Sequence, residues 1–262
     1  MKVRRHLITG DPILFAPERA ERPNAYAREE TICPFCPGNE AETPPETARI
    51  GEPWRVRAFP NKFPFAPHHE VIVETPEHDA TFAAITHASD VAALYAARYR
   101  ELRARDGIEY VALFKNRGAM AGASLPHEHS QIAALAFVPP SVVRECDAFS
   151  RANRCPICSV DAAVDENENF RIIDPGAHTC HGERWIAPKR HVAELSDLTA
   201  EELAGMAAML QSSAAQMTGA YNWLFLSYPD APAAHFHVRA IPRTTSVAGF
   251  ELATGTFIDT ET

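Results

Sequence analysis

The chain has 262 residues, 46% of them hydrophobic, enough to bury a sizeable core in one large domain or two of ordinary size. Its formal net charge of −9 leaves no basic face to neutralise a run of nucleic-acid phosphates or to hold an anionic membrane, so neither is expected as a partner. The basic N-terminus Met1-Lys-Val-Arg-Arg is followed by no apolar run, nothing later approaches the roughly 18 apolar residues of a membrane span, and a cytoplasmic protein is expected.

Cys33-Pro-Phe-Cys36 is the first motif along the chain. Strand-like runs follow at 56–59 and 70–74, then His78, a helical stretch over 88–105, a strand over 110–115 and His127-Glu-His129. Gly107 is the expected stop of that helix. After a connection near 139–154 that opens on Pro139-Pro140, the same order returns. Cys155-Pro-Ile-Cys158 leads to a strand over 184–187, His191, a helix over 200–221, a strand over 223–227 and His235-Phe-His237. Thr199 and Glu202 have the spacing of a capping box at the start of the second helix, and Leu203, Met206, Leu210 and Met217 recur at helical spacing. The strands rest on apolar runs such as Val111-Ala-Leu-Phe114 and Trp223-Leu-Phe-Leu226, bounded by turn residues. This repeat predicts an α+β protein of two similar units, 1–140 and 141–262, each an antiparallel sheet with one long helix.

Tetrahedral zinc needs four soft or borderline donors, and a Cys-x-x-Cys turn supplies two of them. The repeat nominates the rest: Cys33, Cys36, His78 and His127 in the first half, and Cys155, Cys158, His191 and His235 in the second. Two zinc sites with every position filled by protein are expected to be structural, since neither keeps an open position for water. A redox dithiol is the alternative for each cysteine pair. Cys146 and Cys180 are left over, as small buried side chains.

The most informative stretch runs from Asn116 through Gly118, Gly122, Ser124 and His127-Glu128-His129 to Gln131. A glycine-rich loop lets backbone approach a phosphate, and Ser124 and Gln131 add hydroxyl and amide donors. His127 and His129 share one strand face by period-two alternation, while the Glu128 carboxylate is expected to point away from it and to play a peripheral part. With His127 fixed by metal, His129 is held to present an imidazole nitrogen to a phosphorus.

This stretch resembles the active-site segment of galactose-1-phosphate uridylyltransferases, a branch of the histidine-triad superfamily, in which the second His of a His-Pro-His-x-Gln motif becomes uridylylated. The resemblance implies two histidine-triad-like units with His129 as nucleophile, Ser124 and Gln131 on the transferred phosphoryl group, and His127 with Cys33, Cys36 and His78 on zinc. It also implies Arg19 and Arg22 near the nucleotide phosphates, Asn61 and Phe63 of an Asn-Lys-Phe segment in the nucleotide pocket with Asn116, Glu251 on the sugar, and a homodimer whose tail reaches the partner's site. Gly118 and Gly122 belong to the phosphate loop. Three departures stand out: Glu128 replaces the motif's proline, Phe257 replaces a hexose-contacting glutamine, and the second Cys2His2 set is that of two-zinc members, ADP-glucose phosphorylase among them. The implied partners are a nucleotide sugar and a sugar 1-phosphate, or, in an ADP-sugar or dinucleoside polyphosphate phosphorylase, inorganic phosphate as the acceptor. A zinc-stabilised nucleotide-binding protein without chemistry is the alternative outside the enzymes. His237, the counterpart of His129, has no such glycine loop and is expected to be structural or to line a composite site.

Overall fold

The computed structural model of the protein describes residues 2–17 and 32–259. Arg19 and Arg22, expected near the phosphates, lie outside the described residues.

Near the N-terminus, β1 (Lys2–Arg5) and β2 (Pro12–Phe15) form a separate antiparallel hairpin. The remaining described strands join one antiparallel sheet: β3 (Ala48–Ile50), β4 (Val56–Pro60), β5 (His68–Val73), β6 (Tyr110–Arg117), β7 (His129–Leu135), β8 (Asp165–Glu166), β9 (Phe170–Ile173), β10 (Arg184–Pro188), β11 (Tyr221–Leu226) and β12 (His237–Pro242). Their order, β3-β4-β5-β7-β6-β11-β12-β10-β9-β8, reads the same way outward from the central β6/β11 pair. The sequence repeat therefore becomes an approximate twofold. β6 and β11, the apolar strands before each His-x-His, pair from Leu113 opposite Phe225 to Arg117 opposite Tyr221.

Two long helices, α1 (Ala88–Arg103) and α3 (Ala200–Gln216), pack side by side on one face of this sheet. Period-two alternation sends Val56, Ile72, Ile132, Leu113, Trp223, Phe225 and Val238 to that face, where they form one buried cluster with Tyr95, Leu102, Met206 and Leu210 of the helices. Burying each large apolar side chain contributes about 1.5–3 kcal/mol before entropy is counted. The capping box of α3 is formed as the spacing predicts: Thr199 Oγ1 accepts from the Glu202 amide at 3.2 Å, and Glu202 Oε2 accepts from the Thr199 amide at 2.9 Å. That helix ends at Gln216, short of the expected 221, because Gly219 at φ 97° turns the chain and Tyr221 already pairs in β11. Gly107, at φ 75°, follows the end of α1.

The connection opening at Pro139-Pro140 is itself helical, α2 (Pro140–Arg151), with proline tolerated in its first turn. Val142 of α2 is buried in a smaller cluster on the other face of the sheet with Tyr110, Leu135 and Tyr228. A short α4 (Gly249–Thr254) closes the described chain and is largely exposed. No helix among the described residues is long and apolar enough to cross a membrane.

Candidate active site and metal clusters

The sheet face opposite the helices carries the site. The pairing register puts Val73 beside His129, Val71 and Phe114 beside Gln131, and Asn116 beside Asn222, so all of these share that face. His129 opens β7 and His237 opens β12, each two residues after the histidine of a Cys/His cluster.

In the first cluster Cys33, Cys36, His78 and His127 converge, and in the second Cys155, Cys158, His191 and His235 do so. Tetrahedral bonds of about 2.3 Å to sulfur and about 2.0 Å to nitrogen set an S···N edge of roughly 3.5 Å. The observed Sγ···Nδ1 separations match that edge: Cys33 to His127 is 3.6 Å, Cys36 to His78 is 3.3 Å, and Cys36 to His127 is 3.7 Å. In the second half Cys155 to His235 is 3.5 Å, Cys158 to His191 is 3.4 Å, and Cys158 to His235 is 3.3 Å. Three of the four rings turn Nε2 to a backbone carbonyl, His127 to Thr75 at 2.7 Å, His235 to Pro188 at 3.0 Å and His191 to Pro232 at 3.0 Å. A proton on Nε2 leaves the Nδ1 lone pair for a metal, the outer-shell arrangement that fixes a ligand's tautomer. Burial, with Cys33 adjacent, pushes the Cys36 thiol up to about 11, and partial desolvation of the sulfur beside Cys155 does the same to Cys158, although that residue lies at the surface. Thiols crowded in this way stay protonated near neutral pH unless a cation joins them, and burial also lowers the His127 pKa, which favours the neutral ring that can ligate. The donors fit a tetrahedral metal ion.

His129 is locked by its link to the first cluster. Its Nδ1 lies 2.7 Å from the backbone carbonyl of His127. Nδ1–H donates there, and the lone pair is left on Nε2. Phe35, from inside the Cys33–Cys36 turn, meets the His129 ring edge-on at 5.3 Å and the His127 ring at 6.0 Å. Arg57, fully buried, donates to the Pro34 carbonyl at 3.1 Å and so ties the same turn to β4.

Around it, Gln131 Oε1 lies 3.3 Å from Asn61 Nδ2 and 3.0 Å from His69 Nε2, while Asn61 Oδ1 accepts from the Phe63 amide at 2.8 Å. The Asn61-Lys-Phe63 turn is thereby joined to Gln131 both directly and by way of His69, a residue that no sequence motif singles out. Asn222 donates to Asn116 Oδ1 at 2.8 Å and to the Ala121 carbonyl at 3.0 Å, fastening the glycine loop to the second half. Asn222, likewise unforeseen, is the register partner of Asn116. Gly118, at φ 82° and ψ 157°, occupies backbone space open only to glycine, and a Cβ there would stand 2.9 Å from Ala220. Gly122, at φ 83° and ψ 17°, is left-handed with open space around it. Ser124 is half-buried in the loop leading to His127. Glu251 lies on the exposed α4, where its carboxylate accepts from the Ala248 amide at 3.1 Å and caps its own helix.

Glu128 points through the sheet to the helix side, as alternation requires. It is buried there, with its carboxylate ion-paired to Lys115 and 2.9 Å from Arg117 Nε. Burial would raise its pKa, but Lys115 and Arg117 outweigh that and hold it low.

His237 repeats the His129 geometry without its surroundings. Its Nδ1 lies 3.0 Å from the His235 carbonyl, its ring packs 4.8 Å from Trp185, and Arg239 Nε is 3.4 Å from its Nε2. Burial, with Arg239 adding to it, lowers its pKa to about 3.

A palindromic α+β sheet that starts the matching strand of each half on a His-x-His whose first histidine belongs to a Cys/His cluster defines a histidine-triad-like protein. Residues 67–139, which span β5, α1, β6 and β7, match the family model for the N-terminal domain of galactose-1-phosphate uridyl transferase. ADP-glucose phosphorylase of Arabidopsis thaliana is 30% identical, over 98% of this chain and 89% of that protein. Galactose-1-phosphate uridylyltransferase of Thermotoga maritima is 28% identical, over 86% of this chain and 77% of its own. The crystal structure of the Arabidopsis thaliana ADP-glucose phosphorylase with bound ADP-glucose superposes with a TM-score of 0.80 at 28% identity, covering 98% of this chain and 94% of that one. The chain belongs to the galactose-1-phosphate uridylyltransferase family and is a nucleotidyltransferase.

Proposed function

We propose that this protein transfers a nucleoside monophosphate from a nucleotide sugar to a sugar 1-phosphate through a covalent nucleotidyl-His129. Nε2 of His129 attacks the α-phosphorus of the donor. The bond from that phosphorus to the bridging oxygen breaks, and the sugar 1-phosphate departs with the electron pair. A phosphate oxygen of the second sugar 1-phosphate then attacks the same phosphorus and the P–Nε2 bond breaks, restoring the imidazole. The observation that carries this reading is the Nδ1 bond of His129 to the His127 carbonyl, which supplies an unprotonated Nε2 without a separate base.

Ser124, Gln131 and the amides of the Gly118–Gly122 loop stabilise charge on the transferring oxygens, joined by Arg19 and Arg22. Asn61, Phe63 and Asn116 form the nucleotide pocket, with His69 and Asn222 holding Gln131 and Asn116 in position. Both Cys2His2 clusters hold zinc, through Cys33, Cys36, His78 and His127 and through Cys155, Cys158, His191 and His235. With four protein donors each, zinc supplies rigidity and no reactive water. Reduced thiolate sites suit a cytoplasmic protein. Glu251, half-buried on the otherwise exposed α4, acts on sugar in the site of a second copy, which makes the working form a homodimer.

A second reading has inorganic phosphate as acceptor and an ADP-sugar as donor, favoured by the likeness to ADP-glucose phosphorylase over nearly the whole chain. One experiment separates them. The protein is incubated with UDP-glucose or ADP-glucose, weighed intact, and chased with galactose 1-phosphate or phosphate. A uridylyl adduct discharged by the sugar phosphate supports the first, an adenylyl adduct discharged by phosphate the second, and no adduct with either donor overturns both.

A further inference from the structure

The two residues that flank His129 both turn to the back of the sheet, and one buried polar cluster grips them. Glu128 is ion-paired to Lys115, and Ser130 Oγ donates to the carboxylate of Glu74. Lys115 also bonds Glu74, so its ammonium sits between the two carboxylates. Tyr95 of α1 donates to Glu74 as well, and its hydroxyl is 2.7 Å from Ser130 Oγ. The side chains of Glu74, Lys115 and Glu128 are all 0% exposed. Arg117 completes the group from the edge.

The second half of the molecule provides an internal comparison. There Val238 lies opposite Phe225, as Ser130 lies opposite Lys115. Two positions earlier in each half stand Phe236 and Glu128. His237 is thus flanked by Phe236 and Val238 and backed by Phe225, all buried and apolar, and its Nδ1 still finds the carbonyl two residues back. An apolar backing is therefore sufficient to fold this strand. Replacing a buried ion cluster by well-packed apolar side chains of similar volume is often neutral or stabilising, so a gain in stability is no reason for the polar cluster behind His129.

We infer that the Glu74–Lys115–Glu128 cluster, with Ser130 and Tyr95, is a positioning device for the nucleophile: it fixes the strand on both sides of His129 so that its ring stays aligned with the phosphorus. Apolar packing tolerates sliding by a fraction of an ångström, whereas charge-assisted hydrogen bonds with defined directions do not. Misplacement on that scale costs nucleophilic reactions heavily. The inference rests on the reading of His129 as nucleophile and deepens it.

The test uses the full-length protein and measures the single-turnover rate of His129 nucleotidylation at saturating nucleotide sugar, beside the donor Kd, the metal content and the 15N spectrum of the His129 ring. The variants Glu128→Gln and Ser130→Ala keep the side-chain volume nearly unchanged. Each is expected to label about 10- to 100-fold more slowly, with two metal ions and the donor Kd retained and with the Nδ1–H signal of His129 shifted or broadened. The triple variant Glu74→Leu/Lys115→Met/Glu128→Leu, which imitates the second half, is expected to melt no lower than wild type and to label as slowly. If the triple variant does not fold, the two single variants decide the matter. A wild-type labelling rate in either single variant overturns the inference. Failure of the wild-type protein itself to label would instead overturn the assignment of His129.

Discussion

Nδ1 of His129 donates to the backbone carbonyl of His127 across 2.7 Å, and the ring of His127 is itself held between a Cys/His cluster and the carbonyl of Thr75. The first Cys/His cluster and the proposed nucleophile are therefore joined by one peptide unit and by the Phe35 ring that touches both imidazoles.

Loss of the first metal should then cost catalysis as well as stability. His78→Ala or Cys36→Ser is expected to remove one of two metal equivalents and to slow nucleotidylation by about 10- to 100-fold, as loss of an orienting partner does. Elemental analysis with the labelling rate checks this, and full activity with one metal missing from that cluster would refute the coupling.

The second cluster predicts the opposite division. Cys158→Ser is expected to lose one metal equivalent and lower the melting temperature while the adduct still forms on His129, because the second cluster anchors His235 and the start of β12 in the other half of the sheet. Thermal melting beside labelling separates the two effects.

The two histidines that open β7 and β12 should differ in chemistry despite sharing geometry. Trp185 and Arg239 crowd His237, and its neutral ring belongs to the buried packing of the second half. His237→Phe keeps the ring volume and should leave labelling intact, whereas His129→Phe should abolish it. Peptide mapping of the adduct would detect any nucleotide carried by His237.

The loop glycines differ by their backbone angles. Gly118→Ala forces a Cβ to 2.9 Å from Ala220 in a conformation reserved for glycine, and should cost about 1–3 kcal/mol of stability along with activity. Gly122→Ala meets open space and should cost roughly 1–2 kcal/mol from its left-handed backbone alone. Urea unfolding of both variants tests the order.

Ligand chemistry made much of this legible in the sequence. Only Cys and His serve a soft tetrahedral site, so the repeated Cys-x-x-Cys, His, His-x-His order could be read without a structure, and the eight donors do converge in two groups. Alternation along one strand correctly turned Glu128 away from His129, but its partners Lys115 and Glu74 come from other strands and carry no local signal. His69 and Asn222 were missed for the same reason: each gains its meaning from a cross-sheet neighbour. The pairing of β6 with β11 was also invisible, since apolar strand runs do not announce which edge they will join. The helix in the connection had a readable pattern in Val142, Cys146 and Phe149, overshadowed by the Pro139-Pro140 turn signal.

Covalent storage of the nucleotide on His129 is tested head-on by intact-mass spectrometry after brief exposure to UDP-glucose or ADP-glucose, followed by mapping of the modified peptide. The expected result is one nucleoside monophosphate per chain, on His129, released when the phosphate acceptor is added. Turnover without any such adduct, or an adduct that persists in His129→Ala, would contradict it.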